Sequence, residues 1–305
     1  MTIGQQTFED DARVMLRTAL DNGITEFDAA YVYNDGACET ILGELLPEFS
    51  GYRIATKAHP RVTGKLDRAA IRMQLTESLR RLRMDSVDVL YLHFPDHLVS
   101  MEERLSACQE LYEEGRFREL GVSNFTADEV REISELAASR GWVRPSVYEG
   151  MYNLLNRNVE GELFSAVRDC GLRFTAYNPL AGGLLTGKYS SMDEKPETGR
   201  FAQRPSYQKR YWKDSTFHAV EVLRSACAEA GISMAETVLR WLANHSELCF
   251  DKGDAIILGA SRPEHLVQNI QASRGGALPA KLAQVCDSLW DICKADAQPY
   301  YTYYN

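Results

Sequence analysis

Asp28, Tyr33, Lys57 and His93 are the residue types of an acid–base site built around a tyrosine. A free tyrosine has a pKa of about 10, so it holds its proton at neutral pH and gives it up slowly. A cation within a few ångströms stabilises the phenolate and makes the phenol a better acid. A fall of about three pKa units corresponds to about 4 kcal/mol of differential stabilisation. In such a site Lys57 supplies the cation, Asp28 keeps it charged and aimed, and a neutral His93 holds a carbonyl oxygen by a hydrogen bond. Each residue alone has an ordinary explanation. An aspartate after a strand often caps a helix, a tyrosine in an aromatic turn packs, and a lone buried histidine is usually a satisfied core residue. The combination carries the reading, because three successive βα units each end in a group the chemistry needs.

The apolar runs that end at or just before these residues are 24–27, 52–56 and 87–92. Each reads as a buried strand followed by a helical pattern, and a parallel β/α barrel gathers the C-terminal ends of its strands on one rim. Further runs at 117–122, 146–151, 172–177 and 255–258 bring the strands to seven. Amphipathic stretches at 8–22, 37–46, 67–83, 101–114, 127–140, 215–230, 235–244 and 279–295 read as helices, several followed by a glycine. The alternation is that of α/β architecture, and the expected fold is a TIM-type (β/α)8 barrel. An eighth strand has only residues 1–4 ahead of the first helix to occupy, so the first strand is expected to be truncated or absent. Residues 1–305 read as a single domain. Within it, 182–212 breaks the rhythm with glycines, prolines and the cations Lys188, Lys195, Arg200, Arg204, Lys209 and Arg210. A structureless stretch of that length is usually a functional lid or a disordered segment. The helix and tail at 279–305 end in four tyrosines, 300, 301, 303 and 304, suited to covering a pocket mouth or to plain packing.

The bulk composition narrows the function classes. The 305 residues carry a formal net charge of -9, with 45% hydrophobic and 25% charged residues. An acidic chain lacks the basic footprint of a nucleic-acid-binding protein, so an anionic ligand must be met by local cations and backbone amides. Seven dispersed cysteines form no CxxC pair and match neither a zinc site nor a disulfide framework. They read as reduced thiols of a cytoplasmic protein, with Cys38, near the site, a small hydrophobe rather than a nucleophile. No signal peptide and no apolar run approaching the ~18 residues of a membrane helix is found. A monomer or homodimer acting on a small molecule, with no metal, no nucleic acid and no membrane, is the expectation.

At the site residues the sequence resembles the aldo-keto reductase superfamily over essentially its whole length. Asp28-Ala29-Ala30-Tyr31-Val32-Tyr33 follows its Asp-x-Ala-x-x-Tyr signature, and Gly36-Ala37-Cys38-Glu39 its Gly-x-x-Glu. Thr56-Lys57 and Leu92-His93 match its strand ends. Within the superfamily the sequence is most similar to the aflatoxin aldehyde and succinic semialdehyde reductases. That likeness rests on 91–97, on Gly150-Met151-Tyr152-Asn153, on 178–189 and on Arg210-Tyr211-Trp212-Lys213. The resemblance implies NADPH-dependent reduction of aldehydes or ketones, with Tyr33 as the proton donor. It also implies that Ser123, Asn124 and Glu149 face the nicotinamide amide, that Tyr177 stacks on the ring, that Asn178 is among the cofactor-binding residues, and that Leu180, Gly182, Leu184 and Lys188 line the pyrophosphate. At the adenosine end, which begins at Gly259, it implies Ser261 and Arg262 at the 2′-phosphate, and Gln268 and Asn269 at the adenine.

Two departures stand out. Glu149 replaces the glutamine the resemblance implies; a carboxylate accepts from an amide but cannot donate, and favours the cationic oxidised nicotinamide. The hairpin and first strand implied ahead of residues 1–6 do not stand in this sequence. For substrate, Tyr31, Phe94 and Met151 suit an apolar or aromatic carbonyl. Arg200 and Arg210 suit a carboxylate, or are solvated cations or phosphate contacts. Two other classes remain: an NADPH-binding regulatory protein of low activity, and a metal-dependent barrel hydrolase using His93 and His97, which lacks clustered ligands.

Overall fold

The structure is a computed structural model that describes residues 2–194 and 196–301. Seven strands follow one another in the sheet in chain order: β1 (Glu26–Asp28), β2 (Arg53–Ala58), β3 (Val87–Leu92), β4 (Phe117–Ser123), β5 (Pro145–Met151), β6 (Arg173–Tyr177) and β7 (Ala255–Ile256). Their described pairings are parallel, and helices separate most of them, the strand pattern expected of a (β/α)8 barrel. Residues 2–7 form a turn, closed by Gly4 N–H on Thr7 O at 2.8 Å, and contribute an isolated bridge between Ile3 and Thr7 but no strand. Among the described residues no helix is long and apolar enough to cross a membrane.

The chain divides into two compact units. The first comprises Met1–Glu149, Glu162–Phe174 and Gly259–Leu266. Several of its helices start where side chains cap them: Asp67 accepts from Ala70 N–H at 2.9 Å, Ser100 from Glu103 N–H at 3.2 Å, and Thr126 with Glu129 forms a reciprocal capping box. Expected and observed strand limits agree to within two residues. The first strand is less buried than its apolar run suggests, because β1 pairs with β2 alone among the described residues. A short helix, Glu162–Asp169, buries Leu163, Phe164, Ala166 and Val167; eight residues give too little periodicity to stand out in the sequence.

One face of this sheet is layered, since residues two apart along a strand point the same way. At the strand starts it is charged: Arg53 and Arg173 both donate to Glu119, Ser146 Oγ donates to Glu119 at 2.7 Å, and Glu26 lies 3.7 Å from Arg53. Next come Ala55, Val89, Tyr91 and Val147, which form one buried cluster. Tyr91 sits opposite both Lys57 and Gly121 in register. A Cβ on Gly121 would lie 2.4 Å from the Tyr91 ring, so this glycine makes room for the tyrosine.

The second unit comprises Gly150–Gly161, Thr175–Leu258 and Val267–Asn305. The segment expected to be structureless is instead folded. It holds a 3-10 helix, Ala181–Thr186, and helices Arg200–Gln203 and Pro205–Tyr211. Trp212 meets Tyr189 (5.4 Å), Phe201 (5.1 Å) and Phe217 (4.9 Å), and its indole N–H donates to Met192 O at 2.8 Å. Arg224 ties the segment down by donating to the carbonyls of Gly187 and Tyr189. At the tail, the carbonyl of Gln298 accepts from Asn156 and Asn158 at 2.8 and 2.9 Å, and Tyr300 is buried. Lys195, Tyr303 and Tyr304 lie outside the described residues.

Burial alone would raise the Glu119 carboxyl, but hydrogen bonds from Arg173, Ser146 and Arg53 outweigh it and hold the pKa at about 2. A depressed carboxylate contributes stability above its unfolded value, and that contribution is lost as pH falls through the folded one. Glu119→Gln is therefore expected to cost on the order of 1–2 kcal/mol at pH 7, solvent screening of this part-exposed network included. It should also remove part of the acid-induced loss of stability between the usual glutamate range and about pH 2. Urea titrations of both proteins from pH 7 downward measure this, and an unchanged midpoint at pH 7 would deny the network a stabilising role.

Candidate active site

Lys57, near the end of β2, is met by Asp28 from β1, Tyr91 from β3 and Glu149 from β5. Its side chain is 0% exposed, its Nζ donates to Asp28 Oδ1 and to Ala29 O (3.2 Å), and it lies 3.3 Å from Glu149 Oε2. A buried ammonium is costly unless paired. Burial opposes the charge on Lys57, but Asp28 and Glu149 outweigh it and raise its pKa. The ammonium also lies 5.1 Å from the ring centroids of both Tyr33 and Tyr91. Lys57 is thus charged, dry and held between two aromatic rings.

Tyr33 is buried on a loop built by its own backbone. Tyr33 N–H bonds Ala30 O at 3.0 Å and Gly36 N–H bonds Tyr31 O at 2.7 Å. Asn34, Asp35 and Gly36 all take positive φ (59°, 52° and 87°), a conformation that Asn, Asp and Gly tolerate best. The Asn34 amide then donates to Ile3 O at 2.7 Å, so the N-terminal turn braces the loop. Behind it, buried Glu39 accepts from Thr56 Oγ1 (2.5 Å) and Arg81 (2.7 Å), and Arg81 also covers the Tyr31 ring at 4.7 Å.

His93 meets the Tyr33 ring edge-on at 6.0 Å and the His59 ring at 5.0 Å, with Phe94 5.7 Å away. Burial lowers the His93 pKa well below its usual value, reinforced by His59, Lys57 and Arg61, so the imidazole is neutral. Its Nδ1 is buried with no hydrogen-bond partner. A neutral imidazole with its proton there has one donor to offer, and a carbonyl oxygen is a matching acceptor. Asn124, at a positive φ of 61°, donates to His93 O and Ser123 Oγ, both at 2.9 Å, and Ser123 pairs in register with Glu149. Asp28, Tyr33, Lys57, His93, Ser123, Asn124 and Glu149 therefore form one constellation in the first unit. In the same unit, Ser261 O accepts from Thr7 Oγ1 at 3.2 Å, Arg262 is exposed, and the space beside Gly259 is open.

The remaining residues singled out in the sequence lie in the second unit. Asn178 Nδ2 donates to the Tyr211 hydroxyl at 2.7 Å while its Oδ1 accepts from Gly182 N–H at 2.8 Å, so its side chain organises the loop. Leu184 is fully buried, Tyr177 and Leu180 are half-buried, and Lys188 is exposed. Gln268 is exposed and Asn269 buried. Met151 is buried too, its sulfur accepting from the Tyr211 hydroxyl at 3.3 Å. Arg200 and Arg210 both lie over the Tyr207 ring, at 5.3 and 5.7 Å, and Arg200 Nη1 is buried without a partner. His97, by contrast, pairs with Glu129 at 3.1 Å, and among the described residues no group of three or more His, Cys, Asp or Glu is set to hold a metal.

Two features of the site escaped the sequence: the aromatic wall from Tyr91, and the contact of Glu149 with Lys57 rather than with a cofactor amide alone. Period-two alternation in β3, which puts Tyr91 on the face of Val89, was the signal for the first. The Glu149 carboxyl is pushed up to about 8, by burial first and then by Asp28, with Lys57 pulling the other way.

Comparison with known proteins fits this arrangement. The model of the Aldo/keto reductase family matches residues 1–291. Aldo-keto reductase family 7 member A3 of Homo sapiens is 42% identical over 99% of this chain and 95% of its own length. Aflatoxin B1 aldehyde reductase member 2 of Homo sapiens is 42% identical over 99% of this chain and 88% of its own length. A fungal relative, aldo-keto reductase pigE of Monascus ruber, is 33% identical over 95% of this chain and 90% of its own.

His59 gives an independent check on the dryness of the site. Its Nδ1 accepts from Arg61 N–H at 3.0 Å, and its pKa is lowered to about 4 by burial and then by Arg61. In an NMR titration its ring protons should hold the neutral shift through pH 5–7 and move only near pH 4. A midpoint at the ordinary histidine value of about 6.5 would mean that water reaches the rings beside Tyr33.

Proposed function

The chain belongs to the aldo/keto reductase family, and we propose on that premise that it reduces aldehydes or ketones to alcohols with NADPH, Tyr33 being the general acid. That it is an oxidoreductase with the family's barrel fold follows from membership, and nicotinamide cofactors go with the family. The single observation that carries the acid assignment is Lys57, buried and charged, 5.1 Å from the Tyr33 ring with Asp28 bound behind it. A cation so placed stabilises the phenolate that remains after the proton leaves, which is what a general acid near neutral pH requires.

The residues present fit a nicotinamide dinucleotide. Buried Ser123 and Asn124 offer an amide-binding edge, Gly182 and Gly183 take positive φ at 70° and 101°, and Ser261 with exposed Arg262 opens the helix Pro263–Ser273. Without a Cβ a glycine lets a ligand approach the backbone closely, and the space beside Gly183 is open. Ser261 and Arg262 would hold the 2′-phosphate, and Lys188 the pyrophosphate. Bound so, the reduced nicotinamide would supply hydride to the carbonyl carbon. The protein's part is then to orient and to move one proton. His93 holds the carbonyl oxygen through an imidazole N–H, Tyr33 passes its hydroxyl proton to the alkoxide as it forms, and Lys57 with Asp28 stabilises the phenolate until solvent restores the proton.

Two sets of residues, each within its own unit, bear on substrate choice. Phe94 beside His93 favours an apolar or aromatic aldehyde, as does the substrate that the relatives' names print. Arg200, with an unpartnered buried nitrogen, and Arg210 on the same tyrosine suit a substrate carboxylate. A regulatory, slowly turning NADPH-binding protein is the competing reading, and one assay separates the two.

NADPH oxidation followed at 340 nm (roughly the reduced-nicotinamide band) across a panel of simple aldehydes should show repeated turnover. Tyr33→Phe is expected to lose about a hundredfold to ten-thousandfold in kcat. Binding with at most one turnover would instead favour the regulatory reading. Arg262→Ala should weaken NADPH about tenfold or more, the worth of a charge-assisted phosphate contact, and leave NADH nearly unchanged. Equal losses for both cofactors would remove Arg262 from the 2′-phosphate.

A further inference from the structure

A buried Lys57 needs one anion, and this site gives it two. Asp28 ends β1 and Glu149 lies on β5, and both reach the same ammonium. The side chain of Glu149 is 3% exposed, and its Oε2, though 3.3 Å from Lys57, has no hydrogen-bond partner. The Asp28 carboxylate also acts on Glu149, raising its pKa. Two carboxylates and one ammonium sum to one uncompensated negative charge in a dry space, and such a charge is ordinarily removed by binding a proton. The other groups facing the cluster do not supply a second cation. Tyr91 on β3 is a phenol whose pKa burial, Glu149 and Asp28 raise further, and His93 is neutral. Ser123 on β4 is uncharged, and Glu26 and Arg173 belong to the charged layer at the opposite ends of the strands. The burial of Glu149 therefore marks it as the group that takes the proton.

We propose that Glu149 is a positioning residue acting through Lys57, protonated while the enzyme reduces carbonyls, whose ionisation adds a second anion to Lys57 and weakens Tyr33 as an acid. This rests on the reading of Tyr33 as the general acid and deepens it. The proton balance is simple. In the working form Glu149 is a carboxylic acid, Asp28⁻ and Lys57⁺ compensate each other, and the cation's field is available to the Tyr33 phenolate. As pH rises, Glu149 gives its proton to water, the cluster becomes net negative, and the phenol of Tyr33 holds its own proton more tightly. A glutamine at this position keeps the volume and the neutral form and cannot ionise. The glutamate thus adds an alkaline switch to a reaction that the tyrosine alone already makes pH-dependent.

The test compares wild type with Glu149→Gln. The rate of carbonyl reduction at saturating NADPH should fall in wild type as pH passes about 8. In the variant that limb should move up by about one pH unit, the effect of deleting one nearby anion. Superimposed profiles would overturn the proposal. A second readout needs neither turnover nor cofactor. The infrared difference spectrum, wild type minus Glu149→Gln, should contain the C=O stretch of a protonated carboxylic acid at pH 7 and lose it as pH passes about 8. A spectrum with only carboxylate bands at pH 7 overturns the proposal whether or not the variant is active. Wild type that reduces no carbonyl while showing the acid band would instead refute the general-acid reading and leave the protonated Glu149 established.

Discussion

Burying the ammonium of Lys57 is the constraint around which the first unit is arranged. An unpaired charge in that position would cost several kcal/mol even after relaxation. Asp28 on β1 offsets it, Glu149 on β5 reaches the same ammonium, and two phenol rings lie beside it. Once the lysine is fixed, much else follows. Asp28 must end β1 where it does, the register of β2 against β3 must bring Tyr91 opposite Lys57, and Tyr33 must return from its loop to the same cation. The positive-φ run at 34–36 and the brace from Ile3 accomplish that return.

The sheet face on which the site stands separates its charges with an apolar layer. Ala55, Val89, Tyr91 and Val147 lie between the guanidinium–carboxylate network at the strand starts and the acid–base groups at the strand ends. The two clusters have different tasks, and the layer keeps them distinct. The network at the strand starts gains from being fully ionised. The cluster at the strand ends cannot be, having one cation for two carboxyls.

Much of this was legible in the sequence. Three of the four polar residues were recognisable because each closes an apolar run, and the strands were found to within two residues because a parallel strand reads as a continuous apolar segment. What stayed hidden depends on register. That Glu149 touches Lys57 is the sum of three strand pairings, and no local pattern encodes it. Tyr91 reads as core in any strand, and only its position across from both Lys57 and Gly121 gives it a part in the site. The segment from 182 to 212 misled for another reason. Its helices are four and seven residues long, too short to show periodicity, and its cohesion comes from aromatic packing around Trp212 and from the guanidinium of Arg224.

The fit of Tyr91 over Gly121 has a consequence for how this sequence can change. The two positions are a single allotment of space divided unequally between neighbouring strands. Enlarging the glycine by one methyl group has no room unless the tyrosine shrinks, and a smaller residue at 91 uncovers one side of the buried ammonium. Substitution at either position is therefore a joint event, and a mutational library that samples them singly will miss the viable combinations. In descendants of this chain the pair should be inherited, or exchanged, as one unit.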